Sequence, residues 1–324
     1  YGNFRYDLSN KTTLALGGRY TSTHLKANWK ETALINSDLN LVDVKNNALT
    51  GSFSVSYRPK KDWRLNLLLS SGFRSPNLDD LGKIRENKGM LLVPNPDLEP
   101  EYVYNVDGGI AYLPIEKSLY FNLRLYHTSL QDYIGRMLYV VESDLTTLAP
   151  GTVAFRDDIV TTQANTNIGN GRIYGASFEG GVKLGNRLDF STNLSYTHAA
   201  RNEMVGALPS ILPFYGGAIL HYKKDALSLN LNYTFNSSKN PENYSPGGED
   251  GLEETPILSN TNNQTVFAGT PKWSILSFRG NYQVNKIILL NAGVENIFDQ
   301  HYRTFASGIS APGRSLILGT RVNF

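Results

Sequence analysis

The closing stretch, Leu316-Ile317-Leu318-Gly319-Thr320-Arg321-Val322-Asn323-Phe324, decides how the rest of the chain is read. Leu316, Leu318, Thr320, Val322 and Phe324 make a mostly apolar row, and Gly319, Arg321 and Asn323 fill the places between. A period of two is a β-strand with one greasy and one polar face, here ending on an aromatic residue. Its partner alternates through Ile288, Leu290, Ala292 and Val294 until Glu295-Asn296-Ile297-Phe298-Asp299 breaks the pattern. Between the two lies a polar loop ending in Pro312-Gly313-Arg314.

The same hairpin recurs towards the amino terminus. Phe4, Tyr6 and Leu8 alternate before a turn at Ser9-Asn10-Lys11, and Leu14, Leu16, Gly18 and Tyr20 follow it. After a polar stretch over roughly 27 to 45 the clearest pair appears, Leu49 to Tyr57 and Trp63 to Leu69, joined at Pro59-Lys60-Lys61. Further alternating runs cover Tyr102 to Tyr112, Leu119 to Leu125, Ala176 to Leu184, Leu188 to Tyr196, Phe214 to Tyr222, Leu227 to Phe235 and Leu276 to Tyr282. Runs of about ten residues suit strands that cross a membrane at a tilt, whereas most strands of soluble proteins are nearer five or six.

Turns alternate between short and long, as in an outer-membrane barrel with short periplasmic turns and long external loops. Tyr57, Trp63, Tyr112, Tyr222, Phe235, Trp273 and Tyr282 fall near strand ends, where aromatic girdles lie. The second face of each strand is Ser, Thr, Asn, Arg and Asp, which fits a solvated or plugged lumen better than the wet face of a soluble sandwich. These runs predict an all-β fold, a transmembrane antiparallel β-barrel with about 13 strands. An odd count cannot close as an up-and-down barrel, because first and last strands would pair in parallel. The expectation is therefore the later part of a larger barrel.

Composition bounds the rest. No apolar run approaches the roughly 18 residues of a membrane helix, and mean hydropathy is -0.30. Tyr 19, Phe 14 and Gly 29 against Met 3 favour strands and turns. A formal net charge of +2 gives no nucleic-acid footprint. With Cys 0 there are no disulfides, thiol nucleophiles or zinc-thiolate sites.

Five stretches carry a likeness to a known family: Gly72-Phe73-Arg74-Ser75-Pro76-Asn77; Asn95-Pro96-Asp97-Leu98-Glu99-Pro100-Glu101; Ile173-Tyr174-Gly175-Ala176-Ser177-Phe178-Glu179; Gly293-Val294-Glu295-Asn296-Ile297-Phe298-Asp299; and Pro312-Gly313-Arg314 leading to Phe324. In this order the chain resembles the carboxy-terminal part of a TonB-dependent outer-membrane receptor. The resemblance implies residence in the Gram-negative outer membrane and a 22-stranded plugged barrel of which these are the last strands, with roughly nine others elsewhere. It implies partners too: the amino-terminal part of the same receptor with its plug, TonB-ExbB-ExbD acting through an amino-terminal segment, the surrounding lipids, and a surface lipoprotein or haem protein. No enzymatic activity and no resident cofactor are implied; haem or a ferric siderophore is the cargo. Residues 1 to 324 are then one domain, the carboxy-terminal portion of the barrel.

The boxes at Phe73 to Pro76 and Asn95 to Leu98 resemble the haem and haemoglobin receptor branch most. That branch implies a histidine in an external loop, and of His24, His127, His198, His221 and His301 only His301 falls in one. By parity His127 and His198 point outward near the girdle, and His221 faces the lumen. Arg74 also faces the lumen, where loop anchoring or plug packing is expected of it before ligand contact. Catalytic patterns are missing: Gly175-Ala176-Ser177-Phe178-Glu179-Gly180 misses the nucleophile-elbow spacing and lies mid-strand. The acidic run Glu249-Asp250-Gly251-Leu252-Glu253-Glu254 matches no calcium loop and reads as a solvated tip. The leading reading is energy-coupled import of haem, then of a ferric siderophore. A passive porin or adhesin is the alternative of another class.

Overall fold

The computed structural model describes residues 1–28, 41–87, 89–140, 151–156, 158–200, 206–246, 248–261 and 264–323. Strands β1 (Gly2–Ser9), β2 (Thr12–Asn28), β3 (Leu41–Tyr57) and β4 (Trp63–Arg74) open the chain. A loop with the short helix α1 (Leu78–Gly82) and strands β5 (Arg85–Asn87) and β6 (Met90–Leu92) leads to β7 (Glu101–Tyr112) and β8 (Leu119–Gln131). The next loop carries β9 (Ile134–Leu138), β10 (Thr152–Phe155) and β11 (Asp158–Asn167), followed by β12 (Gly171–Lys183), β13 (Leu188–Ala200), β14 (Tyr215–Lys224) and β15 (Leu227–Asn236). A further loop holds the hairpin β16 (Ile257–Thr261) and β17 (Gln264–Phe267), and β18 (Trp273–Gln283), β19 (Ile288–Glu295) and β20 (Ser315–Val322) complete the order.

The long strands form one 13-stranded antiparallel sheet, β1-β2-β3-β4-β7-β8-β12-β13-β14-β15-β18-β19-β20. Each strand that the alternation predicts is in it. The register explains how a period of two becomes a wall. Leu14, Val55, Leu67, Gly108, Leu125, Ala176 and Tyr196 lie opposite one another across seven neighbouring strands, a row on one face. The adjacent row is Thr13, Ser56, Asn66, Gly109, Arg124, Ser177 and Ser195, all small or polar, on the other face. A strand of 12 residues such as β4 spans about 28 Å along a membrane normal at a tilt near 45°. That matches the hydrocarbon thickness.

No protein layer covers the apolar row: Leu125 is 56% exposed and Leu318 86%. Lipid is the medium that would cover it, at about 1.5–3 kcal/mol for each large side chain taken out of water. Near the inner ends of β4, β7 and β8 the rings of Trp63, Tyr112 and Phe121 cluster, with Trp63 and Tyr112 centroids 5.0 Å apart. Towards the outer ends His127, Tyr174 and His198 share one row of the apolar face, and the Tyr174 and His198 rings lie 5.0 Å apart. This is the outward, girdle-level placement that parity predicts for both histidines. His221 lies on the polar face and meets Asn230 Oδ1 at 2.7 Å.

The structure corrects the sequence reading in the loops. Where the sequence suggests a polar stretch over roughly 27 to 45, β2 continues to Asn28 and β3 begins at Leu41. The reason is tertiary packing: Val42 is buried with Leu81, Leu98 and Ile134, and Leu25, Ala27 and Val44 pack on the same cluster. The loops before β7 and before β12 are not plain loops either, because β10, β11, β6, β5 and β9 join them in a 5-stranded sheet. Leu91, Val93, Val153, Phe155, Val160 and Ala164 form the core beneath it. Among the described residues, the buried apolar side chains outside the loops are Val42, Ala48, Ala111 and Leu130. Phe324 lies outside the described residues.

The two faces predict opposite responses to one substitution at neighbouring positions. Ala176→Arg, in the apolar row midway along β12, should destabilise the folded wall by about 2–4 kcal/mol, and Ser177→Arg, in the polar row, by less than about 1 kcal/mol. Denaturant unfolding in lipid vesicles measures both.

Candidate functional site

The loops carry what chemistry the chain has, and three side-chain assemblies hold them. The first grows from the end of β4. Phe73 packs on Tyr102 on the apolar face, ring centroids 5.4 Å apart. Arg74 emerges on the other face and gives Nη2 to both oxygens of Asp80, at 2.7 and 2.8 Å, and Nη1 to Glu101 Oε2 at 3.2 Å. Ser75 Oγ accepts from Asn46 Nδ2 at 2.9 Å, and Pro76 is buried beside it. Asn77 caps α1: its Oδ1 accepts from the Asp80 amide, and Asp80 Oδ2 accepts from the Asn77 amide, both at 3.0 Å. This reciprocal cap satisfies two orphan donors of the helix start. Asp80 thus serves the cap and Arg74 together.

Asn95, 6% exposed, donates Nδ2 to the Asn165 carbonyl at 2.8 Å and accepts from the Asp97 amide at 3.1 Å. Pro96 follows it half-buried, Asp97 is exposed, and Leu98 enters the cluster with Val42, Leu81 and Ile134. Glu101 Oε2 also accepts from the Ile134 amide at 3.0 Å. The two boxes are therefore halves of one knot joining the loops before β7 and before β12. Nearby, the Tyr133 phenol is pushed up to about 12, chiefly by burial and then by Glu249 and Glu101.

The second assembly locks the last hairpin. Asn296 is 3% exposed with φ 47°, and its Nδ2 donates to the carbonyls of Gln300 at 2.9 Å and Pro312 at 3.3 Å. Asp299 Oδ1 accepts from the Arg314 amide at 2.7 Å. A Cβ at Gly313 would lie 2.6 Å from Asp299 Oδ1, so any larger residue there would displace the carboxylate that holds the Arg314 amide. Glu295 pairs with Arg279 across β18 and β19. The fourth and fifth sequence stretches are two sides of one lock.

The third assembly went unread in the sequence. Lys239 and Asp250, 5% and 2% exposed, form a buried pair at 2.9 Å. Lys239 Nζ also donates to the Ile211 carbonyl at 2.7 Å and stands over the rings of Phe305, at 4.1 Å, and Tyr244, at 4.9 Å. Asp250 Oδ1 accepts from the Ser210 amide at 2.7 Å. The acidic run is thus no solvated tip at Asp250, whose burial follows from its lysine. Burial pushes the Lys239 ammonium below its usual range, against the pull of Asp250. Three loops meet at this pair.

Beside it a cleft of about 390 Å³ opens between the loop before β18 and the loop before β20. His301 lines it, exposed, with Nε2 2.9 Å from Ser310 Oγ. His24 lies on the outer extension of β2, 2.6 Å from Asp43 Oδ1. No group of three or more His, Asp or Glu side chains able to hold a metal occurs among the described residues.

Residues 1–297 match the family model described as TonB dependent receptor-like, beta-barrel. The iron-regulated outer membrane virulence protein of Vibrio cholerae serotype O1 is 23% identical over 81% of this chain and 37% of its own length. The hemoglobin-binding protein A of Haemophilus influenzae is 27% identical over 80% of this chain and 25% of its own length. The ferric enterobactin receptor of Pseudomonas aeruginosa is 28% identical over 39% of this chain and 16% of its own length. The solved structure of the copper transporter OprC has a TM-score of 0.72 at 18% identity, covering 99% of this chain and 46% of that one, a likeness of fold alone. The chain thus spans less than half the length of each of these proteins.

Arg74→Ala should leave Asp80 and Glu101 without their cation and loosen the knot by about 1–2 kcal/mol, screening at the half-open Arg74 being allowed for. Amide hydrogen exchange should quicken by roughly ten-fold at Leu81 and Ile134 and stay unchanged in β12 and β13. Equal protection in the variant would remove Arg74 from the anchoring role.

Proposed function

The chain belongs to the TonB-dependent receptor β-barrel family of the Gram-negative outer membrane, and we propose that it supplies wall and external loops for energy-coupled import of an iron-bearing ligand, haem first. Residues 1 to 324 form one domain in this reading, the carboxy-terminal portion of the barrel. The plug and remaining strands come from other polypeptide of the same receptor. TonB, driven by ExbB and ExbD, pulls on the plug from inside.

The observation that carries the proposal is the pairing of a polar inner face along 13 strands with loops prefolded on their own cores. A continuous polar row suits a lumen that a solute or a plug occupies. Prefolded loops suit recognition at the outer mouth, because little ordering entropy remains to oppose binding. Haem comes first because a relative over 80% of the chain is a hemoglobin-binding protein, and because the two boxes resemble that branch. His301 is the histidine these loops offer to an iron, exposed, on the cleft wall, its ring held by Ser310; a tyrosine, or a residue from the rest of the receptor, is the alternative ligand. A ferric siderophore is the second reading, favoured by the similarity to a ferric enterobactin receptor. A surface lipoprotein or haem protein would deliver the cargo in the first case.

Titration of the purified receptor in detergent with haemin, against empty micelles, tests the order. A saturable, shifted Soret band at about one haem per receptor is expected, and His301→Ala should weaken it by at least about ten-fold, or 1.4 kcal/mol. A band no different from that of the micelles would put ferric siderophores first.

A further inference from the structure

The cleft beside the Lys239–Asp250 pair holds chemistry that neither the knot nor the hairpin lock uses. Trp273 and Tyr302 stand together in its wall, ring centroids 4.3 Å apart. Lys272 and Arg303 line the same space, and among the described residues neither makes an ion pair. Arg303 gives Nη1 to the Glu254 carbonyl at 2.7 Å and Nε to Ser310 Oγ at 3.4 Å, which leaves Nη2 uncommitted. Glu254 is the lining carboxylate, so two cations against one anion leave the wall net positive. The indole Nε1 of Trp273 is buried without an acceptor, an unusual state for a native donor. Phe305 under Lys239 fixes the segment that carries Tyr302 and Arg303.

We propose that this cleft is a recognition subsite for a small aromatic carboxylate. Its ring lies against Trp273 and Tyr302, and its carboxylate sits between Lys272 and the free edge of Arg303. The two rings, tilted by 35° to each other, favour an aromatic guest through offset or edge contacts. The arginine fork suits the two oxygens of a carboxylate, and the lysine adds a point charge. A volume of about 390 Å³ is at the small end of ligand pockets, which fits one substituted ring. His301 lines the same cleft, so the subsite rests on the reading that this cleft faces the cargo, although recognition of the carboxylate itself needs no metal.

Benzoate is the probe, with benzamide as its neutral isostere, each followed by saturation-transfer NMR on the purified receptor in detergent, with empty micelles as the blank. Saturable benzoate binding is expected, with benzamide at least ten-fold weaker. Lys272→Glu, at a residue without an ion-pair partner, should weaken benzoate at least ten-fold and leave benzamide unchanged. Tyr302→Ala should weaken both. Equal binding of the two probes, unchanged benzoate affinity in Lys272→Glu and Arg303→Gln alike, or no signal above the micelles would overturn the proposal. Benzoate carries no iron, so benzoate can bind where haemin does not, and haemin where benzoate does not, which keeps failure of the subsite distinct from failure of the haem reading.

Discussion

In hydrocarbon no water is present to bond a peptide N–H or C=O, and this constraint shapes everything else in the molecule. Each unpaired group there costs several kcal/mol, so an extended chain can cross only as a strand bonded on both sides. The register meets the demand for every strand from β2 through β19, while β1 and β20, at the ends of the sheet, are each paired on one side, and antiparallel order follows from joining neighbours by short turns. With backbone needs met inside the sheet, side chains divide by parity. Leu14, Val55, Leu67 and Leu125 belong to one medium, and Thr13, Ser56, Asn66 and Arg124 to another. Arg124 meets Asp107 at 2.9 Å on the polar side, where a charge can be matched.

A wall one residue thick has no interior, so whatever hydrophobic core the chain possesses must form elsewhere. It forms in the outer loops, under the small mixed sheet and around Val42, Leu81, Leu98 and Ile134. Those cores make the loops into folded objects, and buried polar knots orient them. Arg74 with Asp80 and Glu101, Asn296 with Pro312, and Lys239 with Asp250 each join segments that meet only in space. The family motifs are therefore understood first as architecture. They put side chains such as His301, Arg303 and Tyr302 at the mouth of the wall.

Legibility in the sequence follows the same division. A strand with lipid on one face repeats its pattern for ten residues or more, so the 13 wall strands are visible from alternation alone. The strands of the loop sheet are 3 to 5 residues long, apart from β11, and such lengths carry no period. The parallel contact of β11 with β6, which joins the two loops, depends on residues some 70 positions apart. Arg74 and Asn95 are recognisable as motif members, but their partners Asp80 and Asn165 are not. The one local clue is the spacing of Asn77 and Asp80, an acidic residue at the third helical position after a capping side chain. Lys239 and Asp250 have no local signature at all, and charge alone suggests a surface where the fold makes a buried pair.

The claim on which the account stands is that successive residues of the wall face lipid and lumen in turn. The chain has Cys 0, so single cysteines placed from Phe121 to Thr128 of β8 can each carry a fluorophore in vesicles of brominated lipid. Alternate facing predicts strong quenching at 121, 123, 125 and 127 and weak quenching at 122, 124, 126 and 128. Uniform quenching along the strand, or none at the odd positions, would contradict it.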